Sequence, residues 1–229
     1  MRRIKDAGYA EMIIAIDGPA GAGKSTIAKI IAQKLSFLYI DTGAMYRALT
    51  LKSLDENVDI SDATRMAELA RKSSINLINN PDGTLKVTLD GKDVSREIRD
   101  PRITKHVSDV AKIREVREVM LLVQRDLGSR GNSILDGRDI GTVVFPDAQK
   151  KFFLDANFSE RVNRRHKELN EAGKEIAWNS VETDLSNRDT IDSTRECAPL
   201  KQAEDAIYVD TTDLNIQQVV EKVLSYING

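Results

Sequence analysis

Residues 18–25 read Gly-Pro-Ala-Gly-Ala-Gly-Lys-Ser, a spacing that fits G-x-x-x-x-G-K-[ST]. In that pattern the glycines let successive backbone N–H groups turn inward around a phosphate, with no Cβ in the way. Gly18, Pro19, Ala20, Gly21, Ala22 and Gly23 form the candidate cradle. Lys24 adds a mobile positive charge, and Ser25 offers the hydroxyl that a phosphate-bound Mg2+ needs. Thr26 is either a helper or a solvated helix residue. A glycine-rich turn between strand and helix also occurs with no ligand, but that reading gives the lysine and the hydroxyl no purpose. Two further segments set acids beside arginines: Asp41-Thr42-Gly43-Ala44-Met45-Tyr46-Arg47 and Asp136-Gly137-Arg138-Asp139. Arginine's planar fork pairs bidentately with phosphate and screens the repulsion between anionic substrates. The three segments together point to phosphate chemistry.

These groups act together only if the fold brings them to one edge. The run Met12-Ile13-Ile14-Ala15-Ile16 predicts a buried strand ahead of the glycine loop. Ile27, Ile30, Ile31 and Leu35 recur at helical spacing after it, so the loop opens a helix whose N-terminal dipole faces the anion. Five short apolar segments, 12–16, 37–40, 133–135, 151–154 and 206–209, are separated by helical patterns. They predict an α/β core with a parallel sheet wrapped by helices. Segments 41–47 and 136–139 follow the second and third strands, and an open sheet of this kind places ligands at strand C-terminal ends.

The last helix carries one apolar stripe, Ile216, Val219, Val220, Val223, Leu224 and Ile227, after Thr212 and Asp213 as cap candidates. A long excursion, 61–127, separates the second and third strands. Within it 74–78 and 85–89 flank Asn80-Pro81-Asp82-Gly83, and Asp90-Gly91 follows, which predicts a small antiparallel insert. Residues 159–171 form a very polar helix with Arg161, Arg164 and Arg165, followed by Gly173 and another polar stretch up to Arg195. Such a charge run is a solvated face or a lid over phosphates.

Lys and Arg number 34 against 36 Asp and Glu, a net charge of −2, so no global field draws nucleic acid and any anion site is local. With 41% hydrophobic and 31% charged residues, the 229-residue chain has the balance of a soluble protein able to bury a substantial core. Cys197 is the only cysteine, which excludes an intramolecular disulfide and a cysteine-built zinc site; it reads as a buried or inert thiol. His106 and His166 lie far apart, without metal-ligand spacing. No apolar stretch approaches the roughly 18 residues that span a bilayer. Residues 1–11 lack the apolar stretch of a secretion signal, so a cytoplasmic location is expected, with 1–11 a dispensable extension or an upstream start.

The chain resembles the bacterial cytidylate kinases, the (d)CMP kinases of the P-loop nucleoside-monophosphate kinase group. The resemblance rests on Ile16-Asp17-Gly18-Pro19-Ala20-Gly21-Ala22-Gly23-Lys24-Ser25-Thr26, on Asp41 to Arg47, on Asp136-Gly137-Arg138-Asp139-Ile140-Gly141-Thr142-Val143-Val144-Phe145-Pro146, and on Ala198-Pro199-Leu200. The P-loop is generic, whereas Asp-Gly-Arg-Asp followed by Gly-Thr-Val-Val-Phe-Pro is far more specific. The resemblance implies a P-loop core (12–60, 113–158 and 196–229) with a five-stranded parallel sheet. It further implies a monophosphate-binding region (61–112) carrying the antiparallel insert (about 74–95), and a helical lid (159–195).

The same resemblance implies that Ser108, Arg117 and Asp139 read cytosine. A carboxylate suits that task, because cytosine presents an N4 amino donor where uracil presents an oxygen. Arg117 by itself reads equally well as a solvated arginine. Arg47, Arg138 and Arg195 resemble a clamp on the CMP phosphate, with Thr42 beside them; Arg188 and Asp192 resemble partners of the ribose hydroxyls. Arg164, with Arg161 and Arg165, would face the ATP phosphates or adenine. Lys24, Arg138, Arg188 and Arg195 are the expected catalytic cations.

The expected reaction is ATP plus CMP or dCMP giving ADP plus CDP or dCDP, by direct in-line transfer, with Mg2+ accompanying ATP. The expected state is a monomer that binds neither nucleic acid nor membrane. Three alternatives stay open. One is another small-molecule P-loop kinase acting on UMP, AMP or shikimate. A nucleotide-dependent switch is another, although the GTPase Asn-Lys-x-Asp motif is missing. A nucleic-acid kinase would need a basic channel that the charge balance does not suggest.

Overall fold

The structure, a computed structural model, describes residues 12–228. The expectation for residues 1–11 lies outside that range. In chain order the core begins with β1 (Ile13–Asp17), α1 (Lys24–Leu35), β2 (Leu38–Asp41) and α2 (Thr42–Asp55). The excursion holds α3 (Ala63–Lys72), β3 (Ile75–Asn79), β4 (Leu85–Leu89), β5 (Lys92–Asp93), a 3-10 turn (Glu97–Arg99), α4 (Pro101–Lys112) and α5 (Arg114–Gly128). The chain then returns through β6 (Ser133–Asp136), a π-helical turn (Ile140–Val144), β7 (Lys150–Asp155), α6 (Phe158–Glu171), α7 (Trp178–Thr194), β8 (Ile207–Asp210) and α8 (Ile216–Asn228).

Five strands form one parallel sheet in the order β2-β6-β1-β7-β8. The expected strands are all present, each displaced by at most a residue or so at its ends. Alternation along the strands builds two cores, one on each face. Ile14, Ile16, Ile134 and Tyr39 pack with Ile27 and Ile31 of α1 and with Val219, Val220 and Val223 of α8. Their strand neighbours Ala15, Leu135 and Ile40 pack on the opposite side with Met45, Leu49, Met66 and Met120. A third cluster joins Val162 and Leu169 of α6 and Val181 and Leu185 of α7 to Ala20 of the glycine loop. The polar stretch after Gly173 therefore contains a second helix, α7, packed on α6.

The antiparallel insert has three strands, because Asp90 (φ 51°) and Gly91 (φ 83°), the second Asp-Gly turn, lead the chain into the short β5. The insert is fastened to the core sheet. Tyr39 N–H donates to Asn79 Oδ1 at 3.2 Å, and Asn79 Nδ2 donates to Tyr39 O at 3.0 Å. The Asn79 amide thus satisfies the outer side of β2, the edge strand.

Two expectations about the last helix are corrected. Its cap is Asn215, not Thr212 or Asp213: Asn215 Oδ1 accepts from Gln218 N–H at 3.0 Å while Gln218 Oε1 accepts from Asn215 N–H at 2.9 Å, a reciprocal capping box. Thr212 and Asp213 lie in the preceding turn, where Thr212 instead bonds Asp210. Ile216 belongs to the apolar stripe by spacing but is 55% exposed and faces the cleft rather than the core.

Gly18 is where the core dictates the loop. Its φ is +144°, and a Cβ there would stand 1.9 Å from Leu154 O on β7. Only glycine lets the chain leave β1 against its neighbour strand.

Candidate active site

A cleft of about 1270 Å³ opens over the C-terminal ends of β1, β2 and β6. It exceeds the roughly 300–1,000 Å³ typical of a single drug-sized ligand. At its floor, α1 begins directly from the glycine loop, with Gly23 in a left-handed conformation (φ 86°). Lys24 is buried and its Nζ donates to Pro19 O at 2.6 Å. Burial, then the neighbouring Arg138, pushes the Lys24 ammonium down to about 7, with Asp136 opposing. An anion in the loop would restore its charge.

The hydroxyl of Ser25 faces the cleft and donates to Asp136 Oδ2 at 2.7 Å, and the hydroxyl of Tyr39 donates to Asp136 Oδ1 at 2.9 Å. Asp136 stands in register with Asp41 across the β2–β6 pair. Burial first, and then the Asp41 carboxylate, pushes Asp136 up to about 6. Hydroxyl and carboxylate oxygens at this spot suit a hard, oxygen-seeking cation such as Mg2+, which takes one or two protein ligands and finds the rest on substrate phosphates. Among the described residues no cluster of three or more His, Cys, Asp and Glu forms a closed metal cage.

Across the cleft the arginines gather from five parts of the chain. Arg47 of α2 donates to Thr104 Oγ1 at 2.8 Å and lies among Arg188, Arg99 and Arg165; burial and then these like charges hold its guanidinium well below the usual range. Arg138 donates from Nε to Asp192 Oδ2 at 2.8 Å. Burial opposes the charge of both partners, but their attraction outweighs it: Arg138 is raised and Asp192 is lowered. Arg188 of α7 has a buried Nε without a hydrogen-bond partner, and burial, then Arg138, brings it down to about 10. So many like charges side by side form a site shaped for a multiply charged anion.

Beyond them lies a buried polar pocket. Arg117 of α5 pairs with Asp139, which also receives Arg195 Nη2 at 3.4 Å. Arg117, Asp139, Arg195 and the nearby Ser108 are all buried, Arg117 being only 7% exposed, so the solvated reading of Arg117 is excluded. Asp17, at the end of β1, accepts from Ile140 N–H at 2.8 Å and Gly141 N–H at 2.7 Å, which fixes the turn after Asp139. Burial raises its carboxyl to about 7 against those two bonds.

Residues 14–229 match the family described as cytidylate kinase. The chain is 54% identical to the cytidylate kinase of Caldanaerobacter subterraneus subsp. tengcongensis over 92% of each chain. The chain belongs to the cytidylate kinase family. It is also 49% identical to the cytidylate kinase of Bacillus subtilis, covering 93% of this chain and 95% of that one. Among solved structures, an uncharacterized protein from Eubacterium ventriosum superposes with a TM-score of 0.52 at 11% identity, over 96% of this chain and 99% of that one, a likeness of fold.

For a cytidylate kinase family member, the geometry brings most of the residues read from the sequence to this one cleft. Gly21, Gly23, Lys24, Ser25, Thr26, Thr42, Arg47, Ser108, Arg117, Arg138, Asp139, Arg164, Arg188, Asp192 and Arg195 all line it. Gly18 and Pro19, at the start of the loop, do not line it. Nor does Arg161, which is corrected: its Nη1 donates to Ala20 O at 3.0 Å and Asp189 Oδ2 at 2.6 Å, so it braces the glycine loop. Arg164 is held by Thr211 Oγ1 at 2.9 Å and Thr211 O at 2.6 Å. Cys197 is half-buried, and His166 Nε2 makes a 3.1 Å hydrogen bond with Ile176 O. The sequence reading gave no role to Asp17, Tyr39, Arg99 or the carboxylate of Asp136. For Asp136 the signal was present, an acid at the end of a core strand beside the P-loop strand.

Proposed function

We propose that this cleft transfers the γ-phosphoryl group of ATP to CMP or dCMP, giving ADP and CDP or dCDP. The observation that carries the reading is the continuity of one cleft from the Lys24 loop, through the arginine cluster, to the buried Arg117–Asp139 pair. Two anionic nucleotides fit it end to end. Residues 18–26 and Arg164 hold ATP; Thr42, Arg47, Ser108, Arg117, Arg138, Asp139, Arg188, Asp192 and Arg195 hold CMP. The chain divides accordingly into a P-loop core (12–60, 113–158 and 196–229), a monophosphate-binding region (61–112) and a lid (159–195).

The acceptor phosphate is largely ionised near neutrality and already nucleophilic, so no general base is required. One of its oxygens bonds to the γ-phosphorus as the bond from that phosphorus to the β–γ bridging oxygen breaks. Lys24, Arg138, Arg188 and Arg195 neutralise the charge as the two phosphates approach. Ser25 and Asp136 would hold the Mg2+ that accompanies ATP, and once bound it would supply positive charge to the phosphate oxygens. Asp139, oriented by Arg117, accepts from the cytosine N4 amino group and repels uracil O4. Lys174 at the lid tip donates to Arg99 O at 2.9 Å, a bond from lid to monophosphate-binding region that narrows water's access.

On the same proposal the enzyme is a monomer of the cytoplasm. Among the described residues no helix is long and apolar enough to cross a membrane. The test is product formation by purified protein given ATP, Mg2+ and a panel of monophosphates. CDP and dCDP are expected, with UMP a poor acceptor and AMP or shikimate unused. Turnover indifferent to the acceptor base would reject the reading.

A further inference from the structure

β2 and β6 run in parallel register with Tyr39 opposite Ile134 and Asp41 opposite Asp136. Residues two apart on a strand share a face, so Asp136 lies diagonally ahead of Tyr39 on the side that α1 covers. Two residues of strand span about 7 Å, a gap that a phenol bridges. The bond from Tyr39 Oη to Asp136 Oδ1, 2.9 Å long, is buried, and Ser25 occupies the other carboxylate oxygen at 2.7 Å. The ring packs among Ile14, Ile27 and Ile134, work that phenylalanine would do equally well. The hydroxyl therefore needs a separate reason.

The tyrosine is also held from outside. Its backbone N–H and C=O are both bonded by the Asn79 amide, at 3.2 and 3.0 Å, so an edge-strand residue is fixed by the insert. A carboxylate anchored at one oxygen only turns easily about its last side-chain bond, a torsion with broad minima.

We propose that Tyr39 is a positioning residue for phosphoryl transfer: its hydroxyl pins Asp136 at Oδ1 and keeps Oδ2 beside Ser25, where the cation accompanying the nucleotide is held. Tyr39 acts through Asp136, and the anchor extends through Asn79 to the antiparallel insert. The proposal rests on reading this floor as the nucleotide–Mg2+ site.

The test is calorimetric binding of ADP, with and without Mg2+, to the full chain and to Tyr39→Phe. Without Mg2+ the two proteins bind ADP alike. With Mg2+ the parent binds more tightly, and Tyr39→Phe loses about fivefold of that gain, the size of one ordinary hydrogen bond. The KM for CMP stays unchanged. An equal Mg2+ gain in both proteins overturns the proposal, as does an equal weakening with and without Mg2+, which marks a packing role. A parent protein with no Mg2+ gain at all contradicts the reading of the floor instead.

Discussion

Asp139 serves two partners, and its variants separate them. Replacement by alanine leaves Arg117 buried and unpaired, a change that costs about 3–5 kcal/mol in comparable pairs. Asp139→Asn keeps the shape and exchanges an acceptor oxygen for an amino donor. Its CMP-over-UMP preference in kcat/KM should fall about tenfold or more, with the KM for ATP little changed. Steady-state kinetics with both acceptors measure this, and a surviving preference contradicts the assignment. Lys24 gives a second prediction at the same scale. Its native value near 7 lies below the ordinary 10.5, so the folded protein carries fewer protons between those pH values. The burial penalty is thus full below pH 7 and is relieved as pH rises toward 10.5. Nucleotide phosphates favour the charged amine, so ADP binding near pH 8 should take up a proton. Calorimetry in buffers of different ionisation enthalpy reads this directly; binding with no proton linkage contradicts it. Lys24 and Ser25 were legible because their spacing is local. Ser108, Arg117 and Asp139 lie on α4, on α5 and after β6, and only the fold makes them one pocket.

The elements that position these residues announce themselves unequally. Parallel strands buried on both faces are short apolar runs, and all five could be read from the sequence. The insert's third strand is two exposed residues, too short to alternate, so only the Asp90-Gly91 turn ahead of it marked its place. The cap of α8 was misplaced because three candidate residues precede the helix, and only the reciprocal bonds of Asn215 and Gln218 decide among them. The Asn79–Tyr39 clamp joins residues 40 apart in the chain and leaves no local pattern. Asn79→Ala should leave two backbone groups of Tyr39 without partners and lower stability by about 1–3 kcal/mol. Urea unfolding checks this value; an unchanged midpoint would show that the insert is held by its apolar contacts alone.

For the molecule as a whole, a net charge of −2 conceals a strongly cationic interior cleft. The sequence placed its arginines near one another only by element order. Arg47 of α2 is held by Ile98 O and Thr104 from the 3-10 turn and α4, Arg188 comes from α7, and burial lowers both. Because those parts assemble around the acceptor, ATP hydrolysis without CMP should run far below CDP formation; phosphate release with and without CMP checks this, and equal rates contradict it. The most direct measurement of the central claim is the binding of a bisubstrate ligand, cytidine and adenosine joined through a pentaphosphate. The account predicts one equivalent per chain, bound more tightly than ATP or CMP alone and competing with both. A ligand that competes with ATP and leaves CMP binding untouched would contradict it.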